Sequence, residues 1–326
     1  MQRRDFIRLV GAATALPVTA RAQSQSKRTI GAVRIPKHGE SSHLEDAFRK
    51  GLAQTGYVEN QNVVIEWRYA EGDYQRLTGI VAELVDRRVE AIVALGATTT
   101  ALAAKAATQT IPVVFMLGSD PIKFGLVASF GHPGGNITGV SILQGPVVTK
   151  RLDLLHQLMP TVTTFAVLIA PDNAFSETEQ YEAEAAARTL GLELHVANPK
   201  RQDEIDVRFP DLISRGVRGV MVGTDAIYLG LSSQIAASAA RYVIPTVAQW
   251  REYPAAGGLM SYGSNVAEGY RLAATYVGRI LNGEKPADMP VQQPTKFEFV
   301  INLTTAKALQ LTIADKMLAI ADEVIE

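Results

Sequence analysis

The chain of 326 residues is longer than an average single domain and has a suitable length for two. Hydrophobic residues make up 47% of it and charged residues 20%, which is typical of a soluble globular protein with material for two cores. The net charge of −1 gives no reason to expect a nucleic-acid partner or binding to a membrane surface. The absence of cysteine excludes disulfides, thiolate catalysis and cysteine metal sites, and we expect no lipid anchor.

Residues 1–22 have the composition of an export signal. A charged start with Arg3 and Arg4 precedes a mildly apolar segment at 9–18, and Ala-Arg-Ala at 20–22 is a small-x-small cleavage site. The paired arginines followed by Phe6 are similar to a twin-arginine signal. No other segment is long and apolar enough to span a bilayer. We therefore predict that residues 1–22 are cleaved and that the mature chain is periplasmic.

From residue 28 onward, strand-like and helix-like segments alternate. Leu44, Phe48 and Leu52 recur at the spacing of an amphipathic helix, after a Val- and Ile-rich strand at 29–35. The apolar run at 91–95 reads as a buried strand. Strands separated by single helices favour parallel pairing through right-handed crossovers. The pattern predicts a doubly wound parallel-sheet α/β lobe.

The alternation restarts after residue 146 and predicts a second lobe of the same class. We expect the chain to cross between the lobes near residues 141–146, near 254–258 and in the proline-rich connector at 285–294. These crossings would form a hinge. The predicted lobes are 28–143 plus 257–288, and 144–256 plus 289–326, with helical pieces at the end of the chain.

The turn at 96–100 joins the buried strand at 91–95 to an alanine-rich helix. Gly96 and Ala97 precede Thr98 and Thr99, whose hydroxyls suit a helix cap. The free N–H groups and the positive end of the helix dipole also suit an anion. Both interpretations stay open locally. Because ligands of open α/β sheets lie outside the carboxyl ends of the strands, two facing lobes favour a site for a ligand carboxylate.

Polar or aromatic residues follow or flank most of the other strands. The candidate ligand contacts are Ser119, Asp120, Thr138, Ser141, Asp172, Asn173, Thr224, Asp225, Trp250, Arg251 and Tyr262. Each also has a structural explanation: Asp120 suits a turn, Asp172, Asn173 and Asp225 suit helix caps, and Trp250 suits a core. Within the ligand hypothesis, an ammonium group would meet Asp120 or Asp225. Trp250 or Tyr262 would stack on an apolar or aromatic side chain.

No catalytic or metal-binding pattern stands out. The chain lacks the H-E-x-x-H and G-x-S-x-G motifs, and its five histidines are scattered, so we predict no enzyme, no metal and no cofactor. An α/β enzyme that uses the same cleft is the less favoured alternative. The four glutamates between 177 and 184 fit the solvent-facing side of a helix.

Several longer stretches resemble one protein family. They are FRKGLAQTGYVENQNVVIEWR at 48–68, SDP at 119–121, PGGNITGVS at 133–141, GGLMSYG at 257–263 and PVQQPTKFEFVIN at 290–302. Together they resemble ABC-transporter substrate-binding proteins whose better-known members bind tryptophan or tyrosine. The resemblance covers the whole mature chain. It implies a type I periplasmic-binding-protein fold with the ligand between the lobes.

The resemblance also implies a function. The chain would be the periplasmic component of an ABC importer that delivers a small polar ligand, such as an aromatic or branched amino acid, to an inner-membrane permease. A ligand sensor of the same fold, signalling to a membrane receptor, is the alternative. A hinge motion would close the lobes on the ligand.

Overall fold

The computed structural model describes residues 27–142 and 145–326, without the side chains of residues 145 and 146. The predicted export signal at 1–22 lies outside the described residues. The protein has two α/β lobes, each built around its own sheet, as the sequence predicted. Within the described chain, no helix is both long and apolar enough to cross a membrane.

The first lobe contains a five-stranded sheet that is parallel throughout, in the order β2-β1-β3-β4-β5. Its strands are continuous apolar runs where helices cover both faces, and all five residues of β3 are buried. Its elements are β1 (Arg28–Arg34), α1 (Ser42–Ala53), β2 (Val63–Tyr69), α2 (Leu77–Asp86), β3 (Ala91–Leu95), α3 (Thr98–Ala107), β4 (Val113–Leu117) and β5 (Ile137–Ser141).

The second lobe contains a seven-stranded sheet in the order β12-β11-β10-β9-β8-β6-β7. Only the β10–β11 pair is antiparallel among the described strands. The elements from the first crossing onward are α4 (Gly145–Leu158), β6 (Thr164–Leu168), α5 (Ser176–Leu190), β7 (Glu193–Ala197), α6 (Gln202–Ser214), β8 (Gly219–Val222), α7 (Ala226–Gly230), α8 (Ser232–Arg241), β9 (Thr246–Ala248), α9 (Glu252–Ala255), β10 (Met260–Ser264), α10 (Val266–Leu281), β11 (Phe297–Asn302), α11 (Leu303–Ala308), α12 (Asp315–Leu318) and β12 (Glu323–Ile325).

The long helix α10 returns the chain to the first lobe and packs on α1. Gly51 of α1 faces the backbone of Arg271 so closely that a Cβ at position 51 would lie 2.2 Å from the carbonyl oxygen. Gly278 likewise faces Thr55, and a Cβ at position 278 would lie 1.8 Å from the Thr55 Oγ1. The two glycines therefore permit a close helix–helix approach that covers one face of the first sheet.

The second crossing lies later in the chain than expected. The predicted first lobe includes 257–288, but β10 pairs with β9 and β11 in the second sheet, so the chain crosses at Asn265 and not near 254–258. Asn265 caps α10, because its Oδ1 accepts a hydrogen bond from the N–H of Glu268 at 2.9 Å. Local hydrophobicity predicts a strand at 260–264 but does not determine which of the two sheets the strand joins.

The third crossing and the chain end also differ from expectation. Gln292 forms a bridge to Val140 at the edge of the first sheet, so the connector leaves that lobe only after residue 292 and not at 289. The last element, β12, is a strand that pairs with β11, where helical pieces were predicted. Three residues are too few to show a strand period in the sequence.

Candidate ligand-binding site

Two spaces separate the lobes where the carboxyl ends of the strands face each other. The inner cavity lies beside the crossings and is lined by Pro36, Gly96, Met116, Gly118, Ile142, Thr224, Asp225, Ala226, Leu229, Gln249, Trp250, Val266 and Tyr270. The outer groove lies at the opposite side, by the edge strands β2 and β7, and is lined by Pro36, Lys37, Glu40, residues 71–75, Asp172, residues 200–203, Ile227, Leu231 and Gln234.

The two spaces differ in chemistry. The outer groove has a volume of about 880 Å³, and charged side chains of both signs line it, many of them exposed. The inner cavity has a volume of about 30 Å³ and is lined mainly by buried apolar and aromatic side chains with three polar ones, Thr224, Asp225 and Gln249. Small-molecule sites are typically apolar with a few placed polar groups. The inner cavity is therefore the candidate ligand site.

Among the described residues that line the inner cavity, Asp225 is the only ionisable carboxylate, and none is a lysine, arginine or histidine. Its Oδ1 caps α7 by accepting from the N–H of Ile227 at 2.7 Å. Its Oδ2 accepts from the Asn173 side chain at 2.8 Å and from the phenol of Tyr74 at 2.7 Å. Burial raises the pKa of Asp225 to about 6, although these three hydrogen bonds favour the charged form and act against the shift.

The contact between Tyr74 and Asp225 joins the two lobes. Tyr74 lies on the first lobe and lines the outer groove, whereas Asp225 lies on the second lobe and lines the inner cavity. Burial and the adjacent carboxylate raise the pKa of Tyr74 well above its ordinary value, so the phenol remains a hydrogen-bond donor. The hydrogen bond therefore separates the inner cavity from the outer groove.

A buried ion pair holds the turn that carries Thr224 and Asp225. Glu179 accepts from the N–H of Thr224 at 2.7 and 2.9 Å, and Arg151 donates to the Thr224 hydroxyl at 3.1 Å. The guanidinium of Arg151 lies 3.8 Å from Glu179, and both side chains are almost completely buried. The expectation that Glu179 faces solvent is therefore wrong, because Arg151 and Thr224 supply its partners inside the lobe.

The predicted turn at the start of α3 is only partly exposed to the inner cavity. Gly96 lines it with a φ of +91°, a conformation that favours glycine, and Ala97 is buried. Neither neighbouring threonine caps the helix. The Thr98 hydroxyl pairs with that of Ser119 at 2.7 Å, and the Thr99 hydroxyl accepts from the N–H of Ala174 in the second lobe at 3.0 Å.

Of the predicted contacts, the structure brings Gly96, Thr224, Asp225 and Trp250 together around the inner cavity. Asn173 reaches it through Asp225. The hydroxyls of Thr138 and Ser141 donate to the carbonyls of Met289 and Ser119.

The remaining predicted contacts lie elsewhere. Asp120 accepts from the N–H groups of Ile122 and Lys123. Asp172 lines the outer groove, 3.7 Å from Lys200. Arg251 pairs with Glu323, and Tyr262 stacks among phenylalanines of the second lobe. Asp120, Asp172, Arg251 and Tyr262 are thus outside the cavity lining.

Sequence reasoning missed several residues of the site. Tyr74 carries no local signal, because it acts across the cleft. Tyr270 lies on the apolar face of α10, a position typical of a core residue, yet it also lines the cavity. Gln249 precedes Trp250 directly after β9, which is the signal that could have revealed it. The described residues contain no group of three or more potential metal-ligating acidic or histidine side chains.

Known proteins resemble this chain over most of its length. A tyrosine-binding protein of Clostridioides difficile (strain R20291) is 25% identical over 292 residues, which cover 89% of this chain and 83% of that protein. A structure from Streptococcus pneumoniae, an ABC domain in complex with L-Trp, is 27% identical with a TM-score of 0.82 and covers 92% of this chain and 100% of that one. A conserved domain protein from Vibrio cholerae O1 is 25% identical with a TM-score of 0.83 and the same coverage.

The family model for ABC transporter substrate binding proteins matches residues 30–325. This description gives the family a substrate-binding function, in agreement with the prediction of a binding protein. Members of the family typically act outside the cytoplasm. The match spans nearly the whole described chain, and its fold is that of the solved relatives. The chain therefore belongs to the ABC transporter substrate binding protein family.

Proposed function

We propose that this protein is the periplasmic solute-binding component of an ABC importer and that it binds an α-amino acid with an apolar or aromatic side chain in the inner cavity. The observation that carries the proposal is the charge of the lining. One buried carboxylate, Asp225, lies among apolar and aromatic side chains, and no basic side chain stands beside it among the described residues of the lining. A ligand with a cationic group complements such a site.

In this proposal the ligand ammonium pairs with Asp225. The carboxylate already accepts three hydrogen bonds from neutral donors, but no described residue of the lining carries a positive charge to balance it. An ammonium group supplies that charge and favours the ionised form of Asp225. Asp120, the alternative partner in the sequence-based hypothesis, has no part here because it bonds its own turn.

The ligand carboxylate faces the turn that begins α3 and the hydroxyl of Thr224. No side chain caps α3, so its first N–H groups and the positive end of its dipole are available for an anion. The Thr224 hydroxyl is held beside them by Arg151, which donates to it, and by Glu179. These donors substitute for the missing basic side chain.

Aromatic rings set the preference for the ligand side chain. Trp250 and Tyr270 line the cavity together with Met116 and Leu229, whereas Tyr262 packs inside the second lobe and does not contribute. The resemblance to a tyrosine-binding protein and to a structure with bound L-Trp supports the same class of ligand.

Ligand entry requires the lobes to move apart. A volume of about 30 Å³ is room for one or two water molecules and far below a usual ligand pocket. We infer that rotation about the three crossings opens the cleft and that the lobes close again on the ligand around a wider cavity, with the hydrogen bond between Tyr74 and Asp225 retained. The closed complex is then the form that a membrane permease recognises.

The test is a thermal-shift screen of the mature protein against the twenty L-amino acids, together with mass spectrometry of any small molecule released on denaturation. We expect a rise in melting temperature with at least one apolar or aromatic amino acid, because a ligand that binds only the folded state stabilises it. No shift with any amino acid would refute the proposed ligand class. N-terminal sequencing of the exported protein tests cleavage after residue 22.

A further inference from the structure

The side chain of Gln249 is buried in the inner cavity without a hydrogen-bond partner. It is 2% exposed, and neither its Nε2 nor its Oε1 has a partner among the described residues. Most buried polar side chains in folded proteins are hydrogen-bonded, because an unpaired buried amide loses its hydration without compensation. An amide with both ends unpaired in a candidate ligand site is therefore an observation that points to a ligand.

The fold holds Gln249 firmly in this position. Gln249 follows β9 directly, and its backbone and side-chain stem pack against Gly263 of the neighbouring strand β10. A Cβ at position 263 would lie 2.4 Å from the carbonyl oxygen of Gln249 and 2.6 Å from its Cγ. Only glycine leaves room for this approach, so the backbone and the side-chain stem of Gln249 are held against β10 and carry the unpaired amide at the cavity.

We propose that Gln249 is a specificity-determining residue that binds both charged groups of an α-amino acid, its Oε1 accepting from the ammonium and its Nε2 donating to the carboxylate. A carboxamide offers one acceptor end and one donor end, so a ligand satisfies both only if it presents a donor beside an acceptor. The α-ammonium and α-carboxylate of an amino acid are such a pair. This inference rests on the proposed function and adds the residue that recognises the α-ammonium and the α-carboxylate of the ligand.

With Gln249 in this role, the site distinguishes amino acids from related molecules that carry only one charged group. Asp225 and Gln249 line the same small cavity, so an amine can use Asp225 and the Oε1 of Gln249 but leaves the Nε2 unpaired. A carboxylic acid without the ammonium leaves both Asp225 and the Oε1 without a donor. Because a buried group left unpaired lowers affinity strongly, the site selects against both classes.

The experiment compares the wild-type protein with Gln249→Leu and Gln249→Glu by calorimetric titration. The probes are the L-amino acid that gives the largest thermal shift with the wild-type protein, and the amine and the carboxylic acid that carry the same side chain. For tryptophan these are tryptamine and indole-3-propionate. The matched control is Gln234→Leu, a glutamine of the outer groove whose Nε2 already donates to the Gln202 carbonyl.

We expect Gln249→Leu to lower the affinity for the amino acid by at least about tenfold, because two hydrogen bonds to charged groups are lost. The affinity for each analogue should fall by less. The Gln249→Glu variant keeps an acceptor oxygen for the ammonium but repels the ligand carboxylate. It should therefore no longer bind the amino acid and should still bind the amine. The ligand-free Leu variant melts at or above the wild-type temperature, since an unpaired buried amide is replaced by an apolar group of similar size. Gln234→Leu binds like the wild type.

Three outcomes would overturn the inference. One is an unchanged affinity of Gln249→Leu for the amino acid, which means that the amide pairs with water. Another is an equal loss for the amino acid and both analogues, which indicates a packing effect. The third is a clearly lower melting temperature of the ligand-free Leu variant, which indicates a structural role. A wild-type protein that binds no amino acid would instead refute the proposed function, so the two failures are distinguishable.

Discussion

The phenol of Tyr74 on the first lobe donates a 2.7 Å hydrogen bond to the carboxylate of Asp225 on the second lobe, between the outer groove and the inner cavity. Asn173 shares the same carboxylate oxygen from within the second lobe. Closure of the lobes thus buries an acid whose partners come from both sides of the cleft. The contact couples lobe closure to the protonation of Asp225.

The first prediction concerns Tyr74→Phe, which removes the hydroxyl and keeps the ring. The closed state loses one hydrogen bond to a charged group, so we expect closure to weaken by about 1–3 kcal/mol and ligand dissociation to accelerate by about tenfold or more. Stopped-flow measurement of the dissociation rate tests this. Tyr69→Phe is the matched control, because the Tyr69 phenol donates to Glu45 inside the first lobe. Equal dissociation rates for Tyr74→Phe and wild type would contradict the prediction.

The second prediction is a pH dependence of stability that depends on Asp225. Its pKa is about 6 in the folded chain against an ordinary value of 3.8, so between these values the folded state holds a proton that the unfolded state has released. The contribution of this group to stability is therefore complete below the ordinary value and is lost as the pH rises through about 6. The total loss is about 3 kcal/mol by linkage.

Urea unfolding from about pH 4 to about pH 7 measures this effect in the wild type and in Asp225→Asn. The asparagine variant does not titrate, so the difference in unfolding free energy between the two proteins should change in favour of the variant as the pH rises. A difference that stays constant over this range would show that Asp225 ionises normally in the folded protein.

The third prediction concerns ligand affinity and uses the same group. An ammonium ligand needs Asp225 ionised, and about nine-tenths of the free protein carries a proton there one pH unit below its pKa of about 6. We expect the affinity for the amino acid to rise about tenfold between about pH 5 and about pH 7 and to level off above. Titration calorimetry at several pH values checks this, and Asp225→Asn should bind weakly with no such rise.

The sequence predicted the lobes better than their boundaries, for a physical reason. The apolar run of β3 and the helices around it show their class locally, because burial on both faces requires apolar residues at every position. The sheet that β10 joins depends on pairing with β9 and β11, which no local period contains. The same limit applies to Glu179, since its partner Arg151 comes from a helix earlier in the chain.

The sequence likewise predicted some residues of the candidate site and misplaced others. Gly96, Thr224, Asp225 and Trp250 were predicted because they follow strands, and the topology brings strand ends together. Asp120 and Arg251 also follow strands, yet they pair with neighbouring groups outside the cavity. The direction of a side chain at a turn depends on backbone angles and competing partners, which residue type alone does not determine.

The fourth prediction concerns the ion pair behind the binding turn. Glu179→Gln leaves the buried Arg151 without its counter-charge, so we expect the unfolding free energy to fall by about 3–5 kcal/mol. Replacing both residues by methionine should cost much less than the sum of the two single changes. Glu177→Gln on the exposed side of the same helix is the control and should change stability little. Additive losses in the double variant would show that the two charges do not interact.

The last prediction tests whether ligand entry needs separation of the lobes. The chain has no cysteine, so a pair introduced at Thr99→Cys and Ala174→Cys forms the only thiols. The Thr99 hydroxyl lies 3.0 Å from the N–H of Ala174, which brings the two residues within reach of a disulfide across the cleft. In the oxidised protein the inner cavity keeps its volume of about 30 Å³, so we expect no amino-acid binding, and reduction should restore it. Thr99→Cys alone, treated with the same oxidant, should bind like its reduced form. Undiminished binding by the fully oxidised double variant would mean that the ligand reaches its site without opening of the lobes.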